Sequence, residues 1–182
     1  MNVQDPSFYD LSIDDLKMRI ADVPDFPKPG ILFKDITPIL QDPKAFRSCI
    51  DQIAKRIKSF DFDHIAAIES RGFLLGSALA EKLHKGIVLI RKPGKLPRKT
   101  ISHTYDLEYG SDTLEIHAED LGANDRVLIV DDVLATGGTA LAAETLCKNL
   151  GATVVGHLFL IKLAFLNGEQ KLTAPVESLF DF

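Results

Sequence analysis

The hydrophobic and polar positions of this 182-residue chain form two recurring patterns. Short apolar runs between charged or turn-forming residues are typical of buried strands, and apolar residues at every third or fourth position are typical of helices. The first pattern predicts strands in HIAAIES, GIVLIRK, RVLIVDD, TVVGHLFLIKL and, as an edge strand, APVESLF. TLEIHAE alternates like a half-exposed strand or one arm of a hairpin. The second pattern predicts helices in LSIDDLKMRI, DPKAFRSCIDQIAKRIKSF, GFLLGSALAEKLH and TALAAETLCKNLG.

Residues at the predicted helix ends support this assignment. Ser12 is placed to cap the first helix with Asp15 three residues later, and Asp42 followed by Pro43 suits the start of the second. Gly151 is a natural end for the last helix. Between the first two helices, DVPDFPKPGILF contains three prolines and a glycine, which predicts a rigid, extended connector.

The order of these segments predicts an α/β fold. Strands that alternate with helices form a parallel sheet covered on both faces, with right-handed crossovers. We therefore expect a central, mostly parallel sheet flanked by helices, within one domain over residues 1–182. Residues 1–40 are expected to form a cap over the sheet, and the polar, glycine-punctuated residues 93–112 are predicted to be a long loop.

Composition narrows the functional classes. The formal net charge is −5, which does not favour non-specific nucleic-acid binding, and no apolar run reaches the length of a membrane span. The polar, acidic N-terminus argues against a secretory or organellar address, and Cys49 and Cys147 form no CxxC pair, so we expect a reduced, cytoplasmic setting. The five histidines show no ligand spacing, so no zinc site is predicted.

The segment RVLIVDDVLATGGT carries the strongest chemical signal. Ligands of open parallel sheets bind beyond the carboxyl ends of the strands, and this segment runs from a predicted strand into a predicted helix. Free N–H groups and the dipole at a helix N-terminus favour an anion, and glycines let the backbone approach it. The phosphate loop, as we name these residues, is Ala135, Thr136, Gly137, Gly138 and Thr139. We predict that it binds a phosphate monoester.

Two carboxylates, Asp131 and Asp132, directly precede the phosphate loop at the predicted strand end. Acids repel a phosphate unless they accept hydrogen bonds from a vicinal diol or face a bound Mg²⁺. A ribose 5-phosphate satisfies both demands, with its phosphate in the loop and its 2′ and 3′ hydroxyls on the acids. The alternative is a strand that ends in two solvated acids before an ordinary turn, but the combined pattern favours a ligand site.

The same segment resembles the ribose-phosphate signature of the type I phosphoribosyltransferases. Four further segments resemble the adenine-specific members of that family, in the expected order: DFPKPGILFKDITPIL, ESRGFLLG, RKPGKLP and YDLEYGSDTLEI. The resemblance implies the type I phosphoribosyltransferase fold, with a small N-terminal hood that binds the base and a flexible lid loop over 93–112. It also implies a Mg²⁺-dependent reaction of adenine with phosphoribosyl diphosphate that gives AMP and pyrophosphate, with Mg²⁺ held mainly by the substrate, and a homodimer.

Candidate residues for binding the pyrophosphate come from the resemblance and from a positive charge that precedes a predicted helix. Arg71 precedes the predicted helix at Gly72, where a cation opposes the helix dipole, so an anion site is expected there. The resemblance implies that Arg71 holds the pyrophosphate and is catalytic, helped by Arg91, Lys92 and Lys95. The alternatives are a surface Arg71 paired with Glu69 and a solvated basic loop.

The resemblance also assigns the lid and the base site. Glu108 matches the acid/base carboxylate that contacts the purine, and Tyr105 and Tyr109 belong to a lid that excludes water. The base would stack on Phe33 and be read by the backbone of Leu32 and Lys34. The alternatives are that Glu108 only orders the lid and that Phe33 only fills a core.

Two other functions stay open at this stage. The first is transfer to hypoxanthine, guanine or xanthine, against which the adenine-type segments at 26–38 and 105–110 argue. The second is a regulatory module that senses phosphoribosyl diphosphate without chemistry, against which the presence of Arg71 and Glu108 argues.

Overall fold

The computed structural model of the chain describes residues 11–106 and 110–182. It divides into two compact units, Met1–Lys55 and Arg56–Phe182. The elements of the first unit are α1 (Ile13–Lys17), β1 (Ala21–Pro24), β2 (Leu32–Asp35), α2 (Thr37–Gln41) and α3 (Pro43–Arg56), which ends one residue past the unit boundary. The prediction of one domain over the whole chain, with a hood over residues 1–40, stays a prediction.

Both helix starts predicted in the first unit are confirmed. The Asp15 N–H donates to Ser12 Oγ over 3.1 Å, and the Asp15 carboxylate accepts the Ser12 N–H, which completes a capping box at α1. The backbone N–H of Lys44 donates to Asp42 Oδ1 over 2.8 Å, and Pro43 is the first residue of α3. Short polar side chains that accept hydrogen bonds from free N–H groups therefore fix where each of the two helices begins.

The predicted extended connector is instead a hairpin. Strands β1 and β2 pair antiparallel, with Ala21 opposite Asp35. The turn closes because Asp25 Oδ1 accepts the Gly30 N–H over 2.7 Å, and Gly30 adopts a φ of +87° that favours glycine. The prolines stiffen the turn, as expected, but the sequence pattern did not show that its two arms would pair.

The second unit contains the sheet. Its elements are β3 (His64–Ile68), α4 (Gly72–Leu83), β4 (Gly86–Ile90), β5 (Thr100–Asp106), β6 (Ser111–His117), β7 (Arg126–Leu134), α5 (Gly138–Asn149), β8 (Thr153–Lys162) and β9 (Val176–Asp181), with short 3-10 turns at Ile57–Ser59, Ala164–Leu166 and Gly168–Lys171. Five strands form a parallel sheet in the order β4-β3-β7-β8-β9. The predicted parallel sheet and the predicted edge strand β9 are therefore confirmed.

Helices cover both faces of this sheet. On one face, Gly76 of α4 approaches Ala67 of β3 so closely that an added Cβ would lie 2.7 Å from the Ala67 Cβ. The preceding residue of the strand, Ala66, points the other way and belongs to a buried cluster with Ala142 and Leu146 of α5. The apolar strand runs arise because alternate residues face two different apolar layers.

Part of the predicted loop over 93–112 is a strand. Strands β5 and β6 pair antiparallel, with Thr100 opposite His117, and this confirms the predicted hairpin arm at β6. Strand β5 forms because Ile101 and Tyr105, which share one face, pack against the core cluster under α5. The alternation of β5 was not recognised in the sequence because the residues between Ile101 and Tyr105 are polar.

Two further observations concern the cysteines and the possibility of a membrane-spanning helix. Cys49 and Cys147 are free and buried, and burial raises the pKa of each thiol to about 12, so neither is a reactive thiolate. Within residues 11–106 and 110–182, no helix has the length and apolar character needed to cross a membrane.

Candidate functional site

The phosphate loop lies against a cavity of about 80 Å³ at the carboxyl end of β7. The cavity is lined by Asp131, Val133, Leu134, the phosphate loop itself, Ala140 and Phe159. Strand β7 does not end at Asp131 and Asp132 as predicted but continues to Leu134, because Val133 and Leu134 pair with Ile161 and Lys162 of β8. The acids therefore lie inside the last part of the strand, where their backbone is fixed.

Helix α5 begins at the phosphate loop without a side-chain cap. Gly137 is the N-cap residue, has a φ of +80°, and provides no side chain to accept the first N–H groups of α5. The carbonyl of Gly137 accepts the N–H of Leu141 over 2.9 Å, so regular helix bonding starts there. The N–H groups of the first turn have no partner within the helix, and with the helix dipole they form an anion-binding surface.

Asp131 and Asp132 have different surroundings. Burial and the neighbouring Asp132 carboxylate raise the pKa of Asp131 well above its usual value, although the Asp132 N–H donates to its Oδ1 over 2.8 Å. Asp132 Oδ2 lies 2.8 Å from Nε of Arg71. Among the described residues, no N–H points at this buried oxygen with hydrogen-bond geometry. Arg71 and Asp132 therefore form an ion pair without an aligned hydrogen bond at Oδ2.

Arg71 reaches the acids because its helix begins close to strand β7. A Cβ added to Gly72, the first residue of α4, would lie 2.9 Å from Asp131 Oδ1 and 3.0 Å from the Val130 carbonyl oxygen. Only glycine allows this approach. The predicted pyrophosphate residue and the predicted ribose acids are therefore brought together.

The basic segment after β4 has acid partners within the protein. Arg91 donates through Nε to Glu69 Oε2 over 2.7 Å, and its guanidinium lies 5.7 Å from the centre of the Phe73 ring. Lys92 pairs with Asp112 of β6, whose pKa is lowered by the Lys92 ammonium despite the opposing effect of burial. The side chain of Lys95 is exposed, and its carbonyl accepts a hydrogen bond from Arg91.

Tyr105 connects the hairpin to the phosphate loop. Its hydroxyl lies 3.1 Å from Oγ1 of Thr139 and donates to Asp112 Oδ2 over 3.4 Å. Burial raises the pKa of Tyr105 above its usual value. A chain of polar contacts therefore runs from Lys92 through Asp112 and Tyr105 to Thr139.

The residues predicted for the base lie in the first unit. Phe33 packs edge-on against Phe26, with ring centres 5.1 Å apart, and Lys34 pairs with Asp22 over 2.5 Å. Leu32 has 52% of its surface exposed. Glu108 and Tyr109 lie outside the described residues.

Two residues at the site were not predicted from the sequence. Gly168 packs backbone to backbone against the phosphate loop, and Phe159 of β8 lines the cavity. The only local signal was the pair Asn167-Gly168, which is typical of a turn. Among the described residues, no group of three or more His, Cys, Asp or Glu is arranged to hold a metal ion.

Comparison with known proteins gives consistent results. Residues 35–175 match the model of the phosphoribosyl transferase domain family. The chain is 56% identical over 159 residues to the adenine phosphoribosyltransferase of Carboxydothermus hydrogenoformans, covering 87% of this chain and 94% of that protein. It is 51% identical over 171 residues to the same enzyme of Trichlorobacter lovleyi, covering 93% of this chain and 100% of that protein. The adenine phosphoribosyltransferase structure from Thermoanaerobacter pseudethanolicus superposes with a TM-score of 0.92, 50% identity, and coverage of 94% and 100%.

Proposed function

This chain belongs to the adenine phosphoribosyltransferase family, and from that premise we propose which of its residues carry the reaction. It transfers ribose 5-phosphate from phosphoribosyl diphosphate to adenine, giving AMP and pyrophosphate, a reaction of purine salvage. The resemblance stated from its motifs is confirmed by this membership, and the type I phosphoribosyltransferase fold is confirmed by the structural match.

The phosphate loop is proposed to hold the 5-phosphate. The observation that supports this most directly is the cavity at the N-terminus of α5, where no side chain of the described residues caps the helix. A phosphate there accepts hydrogen bonds from first-turn N–H groups and from the hydroxyls of Thr136 and Thr139. Tyr105 fixes the rotamer of Thr139 by its contact with the hydroxyl.

Asp131 and Asp132 are proposed to hold the ribose hydroxyls. The oxygens of the two neighbouring carboxyl groups can accept one hydrogen bond from each hydroxyl of a vicinal diol, and the burial that raises the pKa of Asp131 makes such donors favourable. Transfer of the ribose passes through a cation-like sugar, and the charge of Asp132 stabilises it across a short distance. This arrangement requires no covalent nucleophile.

The leaving pyrophosphate is proposed to be received by Arg71. Arg71 is paired with Asp132 but retains 35% of its side-chain exposure, so it can turn from the acid to an incoming anion. Its fixed fork of donors suits a diphosphate. Lys95 contributes an exposed positive charge. Arg91 and Lys92 contribute indirectly, because their ion pairs neutralise the negative charges of Glu69 and Asp112.

Magnesium is proposed as the cofactor. The oxygen atoms of Asp131 and Asp132 are the hard donors that Mg²⁺ prefers, and the poorly satisfied Asp132 Oδ2 fits a site completed by substrate oxygens. When bound, the ion would neutralise the diphosphate. The protein residues keep the acids in place through strand β7, and Arg71 supplies the remaining positive charge.

The base site and the lid are proposed from the family resemblance. Phe33 would stack on adenine while the extended backbone at Leu32 and Lys34 reads its edge, and Glu108 would exchange a proton with the purine. Tyr109 would help to exclude water. A homodimer is proposed as well, and exposed Leu74 and Ile87 are apolar residues suited to an interface. The free, buried cysteines fit a cytoplasmic enzyme.

The test is direct turnover. Purified protein is mixed with phosphoribosyl diphosphate, Mg²⁺ and adenine, hypoxanthine or guanine in separate reactions, and nucleotide and pyrophosphate are quantified. We expect AMP from adenine, with one pyrophosphate released for each AMP, and a much slower reaction with the other bases. A folded protein that forms no AMP, or prefers hypoxanthine, contradicts the proposal.

A further inference from the structure

We propose that Gly168 is a positioning residue for the ribose-phosphate site, because its backbone holds the phosphate loop in place. The inference rests on the proposed function of residues 135–139. Gly168 lies between β8 and β9, outside the five short motifs that first indicated the family, and is buried although its neighbours Asn167 and Glu169 are exposed.

The contact between Gly168 and the phosphate loop leaves no space for a side chain. A Cβ added to Gly168 would overlap the Ala135 carbonyl oxygen and lie 2.8 Å from the Gly137 nitrogen and 2.9 Å from the Thr136 carbonyl carbon. In the reverse direction, a Cβ on Gly137 would overlap the Gly168 carbonyl oxygen. Two backbones therefore pack directly against each other, a packing that glycine on both sides allows.

Close approach, rather than backbone conformation, requires glycine at position 168. Gly137 has a φ of +80°, whereas the φ of Gly168 is outside the left-handed region. Alanine at 168 is therefore free of intrinsic backbone strain and differs from glycine only by the methyl group that meets the loop. This makes Gly168→Ala a clean probe of the contact.

The segment that carries Gly168 is anchored so that it cannot retreat. Leu172 packs against the buried cluster of Leu134, Ala140 and Phe159. At the next residue, the N–H of Thr173 donates to Glu144 Oε2 over 3.2 Å, and its hydroxyl donates to Oε1 of the same carboxylate.

Glu144 is itself held on α5. Its side chain is 1% exposed and accepts hydrogen bonds from Lys148 over 2.6 Å, and its Oε2 lies 2.9 Å from His157 Nε2. The helix that begins at the phosphate loop thus also fixes the segment that supports the loop from behind. The methyl group of an alanine at 168 must therefore push the loop, since the anchored segment does not give way.

The consequence is specific to the sugar phosphate. A shift of Ala135–Gly137 by several tenths of an ångström misaligns the N–H groups that face the 5-phosphate, whereas Arg71 belongs to a different loop and keeps its place. Gly168 makes no contact through a side chain, so its effect is one of positioning.

The experiment compares two ligands on purified Gly168→Ala protein by calorimetric titration. We expect the Kd of ribose 5-phosphate to rise about tenfold or more, since misplacement on the ångström scale weakens oriented contacts to this degree, and the Kd of inorganic pyrophosphate to stay unchanged. In steady state, the KM for phosphoribosyl diphosphate should rise more than kcat falls. Gly122→Ala is the matched control, because a Cβ there meets only Asp125 Oδ2 at 3.8 Å, and it should bind both ligands like the wild type.

A second variant decides the matter if Gly168→Ala does not fold. Thr173→Val keeps the shape of the side chain but removes the hydroxyl that binds Glu144, and it should weaken ribose 5-phosphate alone. Equal Kd values for ribose 5-phosphate in the wild type and in a folded variant overturn the inference. So does an equal loss for both ligands. If the wild type itself fails to bind ribose 5-phosphate, the proposed function of the loop fails instead.

Discussion

Replacing Asp132 by Asn separates catalysis from stability at this site. The substitution keeps the size of the side chain and removes one negative charge, which lies 2.8 Å from Nε of Arg71. In the proposed reaction that charge stabilises the cation-like ribose. Loss of one such preorganised group typically costs about 2.7–4 kcal/mol in the barrier, so we expect kcat to fall about 10²–10³-fold.

The cost in stability should be much smaller. Breaking a fully buried ion pair costs about 3–5 kcal/mol, whereas an exposed pair contributes about 0–1 kcal/mol. The Asp132 side chain is 9% exposed but that of Arg71 is 35% exposed, which places this pair between the two limits at about 1–2 kcal/mol. Removing the charge that raises the pKa of Asp131 offsets part of this loss.

The assay measures kcat at saturating substrates together with urea unfolding of the same preparation. Asp63→Asn is the matched control, because it removes an Asp–Arg pair, to Arg126 over 2.9 Å, at the amino ends of the same strands. It should leave kcat unchanged. A kcat for Asp132→Asn within about threefold of the wild type, which is less than 1 kcal/mol of barrier, would refute the role given to the carboxylate.

Three further predictions concern the elements around the site. Gly72→Ala places a methyl group 2.9 Å from Asp131 Oδ1, so the KM for phosphoribosyl diphosphate should rise about tenfold. An unchanged KM in steady-state assays would show that the close approach of α4 to β7 does not matter for substrate binding. Tyr105→Phe removes the hydroxyl contact with Thr139 and should weaken AMP binding about threefold to tenfold, which calorimetry would detect, while equal affinities would exclude this contact from the site. Burial lowers the pKa of His157 below its usual 6.5. Below about pH 6.5 the unfolded chain therefore binds a proton at this histidine that the folded chain does not bind. The free energy of unfolding should fall as the pH drops through this range, by up to about 1.4 kcal/mol per pH unit. Urea unfolding between about pH 5.5 and 7.5, the range in which histidines usually titrate, should show this slope in the wild type and a smaller one in His157→Gln. Equal slopes in the two proteins would contradict the role given to His157.

Local sequence patterns were sufficient for most elements of the fold. Helix starts at Ser12 and Asp42 were predictable because capping involves residues three or fewer positions apart. The buried strands were predictable because a strand covered on both faces is apolar along its length. The acids before the phosphate loop were identified from their order along the chain, which the sheet then places beside Arg71.

Contacts between distant parts of the chain were not predictable in this way. Strand β7 continues beyond Asp132 because β8 is long enough to pair with it, and strand β5 forms because Tyr105 and Ile101 find a core under α5. The role of Gly168 depends on a contact with a loop far away in sequence. Each of these features follows from the packing of two segments whose individual patterns are unremarkable.

A crystal structure with bound AMP tests the central claim most directly. The account predicts the 5-phosphate within hydrogen-bond distance of the backbone N–H groups and hydroxyls of residues 136–139, with the ribose hydroxyls on Asp131 and Asp132. A nucleotide bound at another place, with no contact to the phosphate loop or to the two acids, would contradict it.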